Sequence, residues 1–107
     1  MQLTIEQALA DRDRALQQVD THADPEWKDR ALQAVRTVCL LREEWHSDDI
    51  WALTGLDEPH EARALGPVVL RAIRLGYCAK TDRVRPSVRS HGSGKPVYRS
   101  LIYRGAA

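Results

Sequence analysis

The chain predicts a mostly α-helical domain closed by a small β-hairpin. Three observations lead there. Apolar residues recur at helical spacing as far as Gly76 and at strand spacing beyond it, helix-start and helix-stop residues punctuate the first part, and charge is partitioned along the chain. Residues 1–61 hold six Lys/Arg against fourteen Asp/Glu, whereas residues 62–107 hold ten Lys/Arg against one acid, Asp82. The near-neutral total of +1 conceals a net of −8 followed by a net of +9. A binding surface is local, so the basic part is what a polyanion would meet.

With 107 residues the chain has room for one core and not two. The expected layout is a single domain, with a helical extension over residues 1–22, a helical core over 23–76 and a hairpin over 77–104. Hydrophobic residues make up 43% and charged residues 29%, the balance of a globular chain and not of a disordered one. No apolar run nears the roughly 20 residues of a membrane helix, and the acidic N-terminus lacks the layout of a signal peptide. A cytoplasmic location without a membrane partner is the expectation. Cys39 and Cys78 are far apart and outside any metal-ligand spacing, so both read as buried, reduced thiols. His22, His46, His60 and His91 are equally scattered, and no metal is expected.

Each element has its own local warrant. Thr4 and Gln7 form a capping box ahead of Ile5, Leu9, Leu16 and Val19, which predicts a first helix over residues 4–19. Asp24 caps a second, with Pro25 at its first position, where the missing N–H is harmless. Trp27, Ala31, Ala34, Val35, Val38 and Leu41 give that helix one broad apolar stripe to residue 42 or 43. Ser47 reads as the cap of a short third helix over 48–54, with Asp48 and Asp49 at the positive end of its dipole and Gly55 as its left-handed stop. A fourth helix is expected from residue 61 or 62 to 75, ended by Gly76, with Leu65, Val69, Ala72 and Ile73 inward and Arg63, Leu70, Arg71 and Arg74 outward or flanking. Pro67 implies either a true start near Gly66 or a loose first turn. Beyond Gly76, residues 77–80, 84–88 and 97–103 read as strands, and Arg89-Ser90-His91-Gly92-Ser93-Gly94-Lys95-Pro96 as a flexible basic loop.

Helix, helix, short helix, turn, basic helix and basic hairpin is the order of a winged helix-turn-helix preceded by an extra N-terminal helix. A major groove about 12 Å wide admits one α-helix, and a hairpin beside it reaches the phosphates. Ser47-Asp48-Asp49-Ile50-Trp51, Ala64-Leu65-Gly66, Gly76-Tyr77, Val84-Arg85-Pro86-Ser87 and Pro96-Val97-Tyr98-Arg99-Ser100-Leu101-Ile102 resemble small winged-helix or helix-turn-helix DNA-binding proteins of actinobacterial phages and prophages. Pro67 departs from the small residues expected after Leu65-Gly66.

The resemblance implies a regulatory or accessory DNA-binding role. It places Arg63, Arg71 and Arg74 on the recognition helix and Arg85, Arg89, His91, Lys95 and Arg99 on or near the wing. Arg71 or Arg74 suits a base contact, because a guanidinium fork bonds two guanine acceptors. Lys80, Arg83, Arg89 and Lys95 suit phosphates. The three tryptophans point inward on helices, and Tyr98 is a candidate phosphate contact.

Other chemistries find little support. Gly92-Ser93-Gly94-Lys95 fails the phosphate-loop pattern at Arg89 and at Pro96, and no catalytic constellation or cofactor motif stands out. The expected partner is double-stranded DNA and the protein is not expected to be an enzyme. The competing reading is a protein-interaction module on the same scaffold, pairing with a second copy or a host protein, which exposed Val68 and Leu70 beside Arg71 would favour.

Overall fold

The computed structural model describes residues 24–59 and 63–105. The helix predicted over 4–19 and the first residues of the predicted fourth helix lie outside the described residues. Within them the chain forms three helices and a small three-stranded antiparallel sheet, a mixed α/β architecture in which the expected hairpin gains a third strand. None of these helices is long and apolar enough to cross a membrane.

Helix α1, Pro25–Leu41, starts where its cap predicts: the Asp24 carboxylate accepts the Glu26 N–H at 3.0 Å and proline follows immediately. Its stripe of Trp27, Ala31, Ala34, Val35, Val38 and Cys39 is buried and packs against the two later helices. Strand β1, Glu44–Trp45, was not anticipated, because two residues are too few to show a period. It makes Trp45 a strand residue, where a helical one was expected, and stacks it on Tyr98 at 4.7 Å between ring centroids. Helix α2, Ser47–Thr54, begins one residue before its expected start, so His46 and not Ser47 holds the capping position. The Asp49 carboxylate closes the turn by accepting the His46 N–H at 2.9 Å, and Gly55 ends the helix at φ 65°, as its lack of a Cβ permits.

Helix α3, Leu65–Arg74, settles the question raised by Pro67. The proline stands third in the helix, among the first-turn residues whose N–H groups have no intrahelical acceptor, so its ring breaks no bond. Leu65, Val68, Val69 and Ala72 are buried with Ile50, Trp45 and the α1 stripe in one core. At about 1.5–3 kcal/mol for each large apolar side chain, this shared burial is the main force holding the helices together. Trp27 Nε1 donates to the Asp57 carbonyl at 2.7 Å and Arg30 pairs with the Asp57 carboxylate, which staples the turn after α2 onto α1.

Strands β2, Cys78–Pro86, and β3, Gly94–Ser100, form the hairpin, and β1 pairs with the free edge of β3 to give the order β1-β3-β2. Two of the predicted strand runs thus merge into one. Between the Lys80–Tyr98 and Val84–Pro96 pairings β2 takes up two extra residues. Thr81 pins this irregularity, donating its hydroxyl to the Val97 carbonyl at 2.7 Å and accepting the Arg83 N–H at 3.1 Å. Cys39 and Cys78 are buried and free, as expected, but they also meet in the core. The hydrogen bond between them lowers the pKa of Cys39 and raises that of Cys78.

Candidate nucleic-acid interface

The basic residues of the second half fall into two groups and some outliers. An open cleft of about 550 Å³ lies between the first turn of α2, the start of α3 and the hairpin. Arg63, just ahead of α3, and Arg89 and Lys95, both of the hairpin, line it together with the acids Asp48 and Glu58 and the hydroxyl-bearing Ser47 and Ser90. Trp51, Leu65, Val69, Pro96 and Tyr98 supply its apolar wall. The second group gathers on the sheet. Arg99 stands opposite Glu44, Arg85 opposite Lys95, and the bulge brings Arg83 into an ion pair with Glu44. The Arg83 hydrogen bond, with the charges of Arg83, Arg85 and Arg99, outweighs desolvation and holds the Glu44 carboxyl below the usual range. Like charges placed directly opposite one another, as Arg85 and Lys95 are, oppose strand pairing, and an anion between them would relieve that.

The remaining predicted contacts are dispersed. Arg74 is exposed at the last residue of α3, roughly 14 Å along the helix from the cleft end. Arg71 is half-buried, Lys80 is exposed on β2, and His91 is exposed in the hairpin tip. Only Gly66 and Arg74 of α3 are exposed, while Leu70, Arg71 and Ile73 are half-buried and the other five residues are buried. Val68 is fully buried and Leu70 half-buried, so the bare apolar patch beside Arg71 does not form.

The hairpin tip is the part that sequence reasoning described least well. It was expected to be a flexible loop, yet it is closed by its own bonds and clamped to α2. Ser87 N–H donates to the Ser93 carbonyl at 2.9 Å and Gly92 N–H to the Ser87 carbonyl at 2.7 Å. Asp48 then accepts the Ser87 hydroxyl at 2.6 Å and the Val88 N–H at 2.8 Å. Arg89 lies over the Trp51 ring, 4.4 Å from its centroid, and forms an ion pair with Glu58. Trp51 is therefore half-buried, packed against the core that holds Trp27 and Trp45 and lying beneath an arginine in the cleft. Tyr98, a predicted phosphate contact, lines the same cleft with its ring against Trp45. The anchors to Asp48 and Glu58 have no local signature, since each joins residues more than thirty positions apart.

Asp48 carries a testable consequence. Desolvation would raise its pKa, but the hydrogen bonds from Ser87 and Val88 prevail and lower it. A lowered folded-state pKa contributes stability above the ordinary aspartate range, and that contribution is lost as pH falls through the folded value. Asp48→Ala is expected to cost about 1–3 kcal/mol near neutral pH and to speed amide exchange at Val88. In urea titrations the variant and the parent should converge in acid; a gap unchanged at low pH would show that the carboxylate charge is irrelevant to the clamp.

No protein family, curated protein or solved structure matches this chain.

Proposed function

We propose that this protein binds double-stranded DNA through a winged helix-turn-helix arrangement, with the hairpin as the wing and a regulatory or accessory role. The observation that carries the reading is the convergence of Arg63, Arg89 and Lys95 on one open cleft. Phosphates are the ligands such a surface suits, and hydroxyls at Ser47 and Ser90 add neutral donors of the kind that positions a backbone. The order of α2, α3 and hairpin, and the edge position of β1, support the winged-helix assignment. Because α3 gives most of its surface to the core, base reading falls to Arg74 and its neighbour Arg71, and backbone contacts dominate affinity. Modest sequence preference and steep salt dependence follow.

An anisotropy titration on random duplex DNA tests this. Log affinity should fall against log salt with a slope of about −3 if the three cleft cations alone meet phosphates, and about −5 if Arg83, Arg85 and Arg99 join them. Absence of binding at low salt rejects the proposal.

One observation favours the protein-interaction reading instead. Leu41, Leu75, Leu101 and Tyr103 are exposed, and the bonds from Leu101 N–H to the Tyr77 carbonyl and from Arg104 N–H to the Leu40 carbonyl bring their segments to one end of the fold. Grouped exposed apolar side chains mark contact surfaces. Retention of a partner after nuclease treatment, or a concentration-dependent dimer in sedimentation, would favour that reading, whether the partner is a host protein or a second copy.

A further inference from the structure

We propose that Glu44 and Glu58 are built-in competitors of DNA phosphate, each occupying an arginine of the binding surface until a phosphate displaces it. This rests on the duplex-binding reading. In the free protein Arg83 is engaged by Glu44 and Arg89 by Glu58. Both acids come from the acidic half of the chain, one from β1 and the other from the turn after α2.

The geometry separates competition from support. If a carboxylate were needed to hold its arginine in place, removing it would weaken binding. Both arginine segments, however, are held by other contacts. The Arg89 guanidinium rests on the Trp51 ring, and its loop is fastened through Ser87 and Val88 to Asp48. The Arg83 backbone is fixed by the Thr81 hydroxyl within the bulge. The carboxylates are accessible as well: the Glu58 side chain is 69% exposed against 42% for Arg89, and Glu44 is 31% exposed against 55% for Arg83. Exposed pairs of this kind are weak, so a phosphate can exchange with them cheaply. Duplex DNA brings many phosphates at once, so a carboxylate at the contact is displaced at little cost, whereas an isolated anion must displace it unaided. The pairs therefore lower background affinity for small anions more than they hinder a polyanion.

The test compares the full chain with Glu44→Gln, Glu58→Gln and the double variant on one random 24-base-pair duplex across a sodium chloride series, with circular dichroism as the folding control. Glu26→Gln, which removes the same charge from the exposed first turn of α1, corrects for net charge. Each single variant should bind about two- to fivefold more tightly at low salt than that control, the scale of one exposed ion pair. The gain should shrink as salt rises, because screening weakens the ion pair that each substitution removes. Gains no larger than those of the control, or weaker binding by the variants, would overturn the inference while leaving duplex binding intact. If neither parent nor variants bind duplex DNA at low salt, the functional proposal falls and the inference with it.

Discussion

Reversal of Arg63 and Lys95 together to Glu is expected to reduce duplex affinity on the order of 100-fold at low salt, beyond detection at physiological salt. Both residues line the cleft, one just ahead of α3 and one on β3, so the double variant turns two attractions into two repulsions at the point where helix and wing meet. The change should leave folding intact, since Arg63 is exposed and Lys95 half-buried near the hairpin end of the sheet. Arg74→Glu is the informative comparison. That residue is exposed at the far end of α3, and if backbone contacts in the cleft dominate, its reversal weakens binding less and mainly flattens preference among sequences. A loss at Arg74 larger than the loss at Arg63 and Lys95 would place the principal contact on the helix. Anisotropy on random and on selected duplexes measures both quantities, and the slope with salt should fall by about 1 for each phosphate contact removed.

Trp45→Ala is expected to have the largest effect on stability, about 3–5 kcal/mol. Trp45 is fully buried, stacks on Tyr98, and belongs to the strand that joins the helical core to the sheet. Against the roughly 5–15 kcal/mol that separates folded from unfolded domains of this size, that is a large fraction, equivalent to a fall in Tm of about 15–30 °C. Trp45→Phe keeps an aromatic ring facing Tyr98 and should cost clearly less. Urea and thermal unfolding followed by circular dichroism provide the measurement. Equal losses in the two variants would mean that the indole fills a volume no other ring can, and that stacking with Tyr98 contributes nothing of its own. Functionally, loosening β1 also releases Glu44 from its place beside Arg83, so duplex binding by the folded fraction of Trp45→Ala should resemble that of Glu44→Gln.

Much of the helical framework was legible in the residues. Asp24-Pro25 marks the start of α1, Gly55 the end of α2, and the inward positions Leu65, Val69 and Ala72 of α3 follow from helical spacing. These signals are short-ranged, written within one or two turns of backbone. The two-residue strand at Trp45 was beyond their reach, because its extended conformation is stabilised by pairing with Arg99 and Tyr98 in a distant segment. The closed hairpin tip is hidden from local signals for a related reason. Gly92, Gly94 and the serines suggest looseness by composition, yet the bonds of Ser87 with Ser93, Gly92 and Asp48 order the turn.

The candidate site divides in the same way. The chain alone established that the cations are concentrated in its second half and that the scaffold bears the acids, since counting charge needs no coordinates. Tertiary structure decided which cations share a surface: Arg63, Arg89 and Lys95 in the cleft, and Arg83, Arg85 and Arg99 around Glu44, with Arg74 apart. It decided as well that Arg83 and Arg89 each hold a carboxylate, and that α3 spends most of its surface on the core. The reason is physical. Capping and periodicity are set by neighbours a few bonds away, whereas the field at a guanidinium depends on distances that exist only after the helices and the sheet have buried their apolar faces against one another.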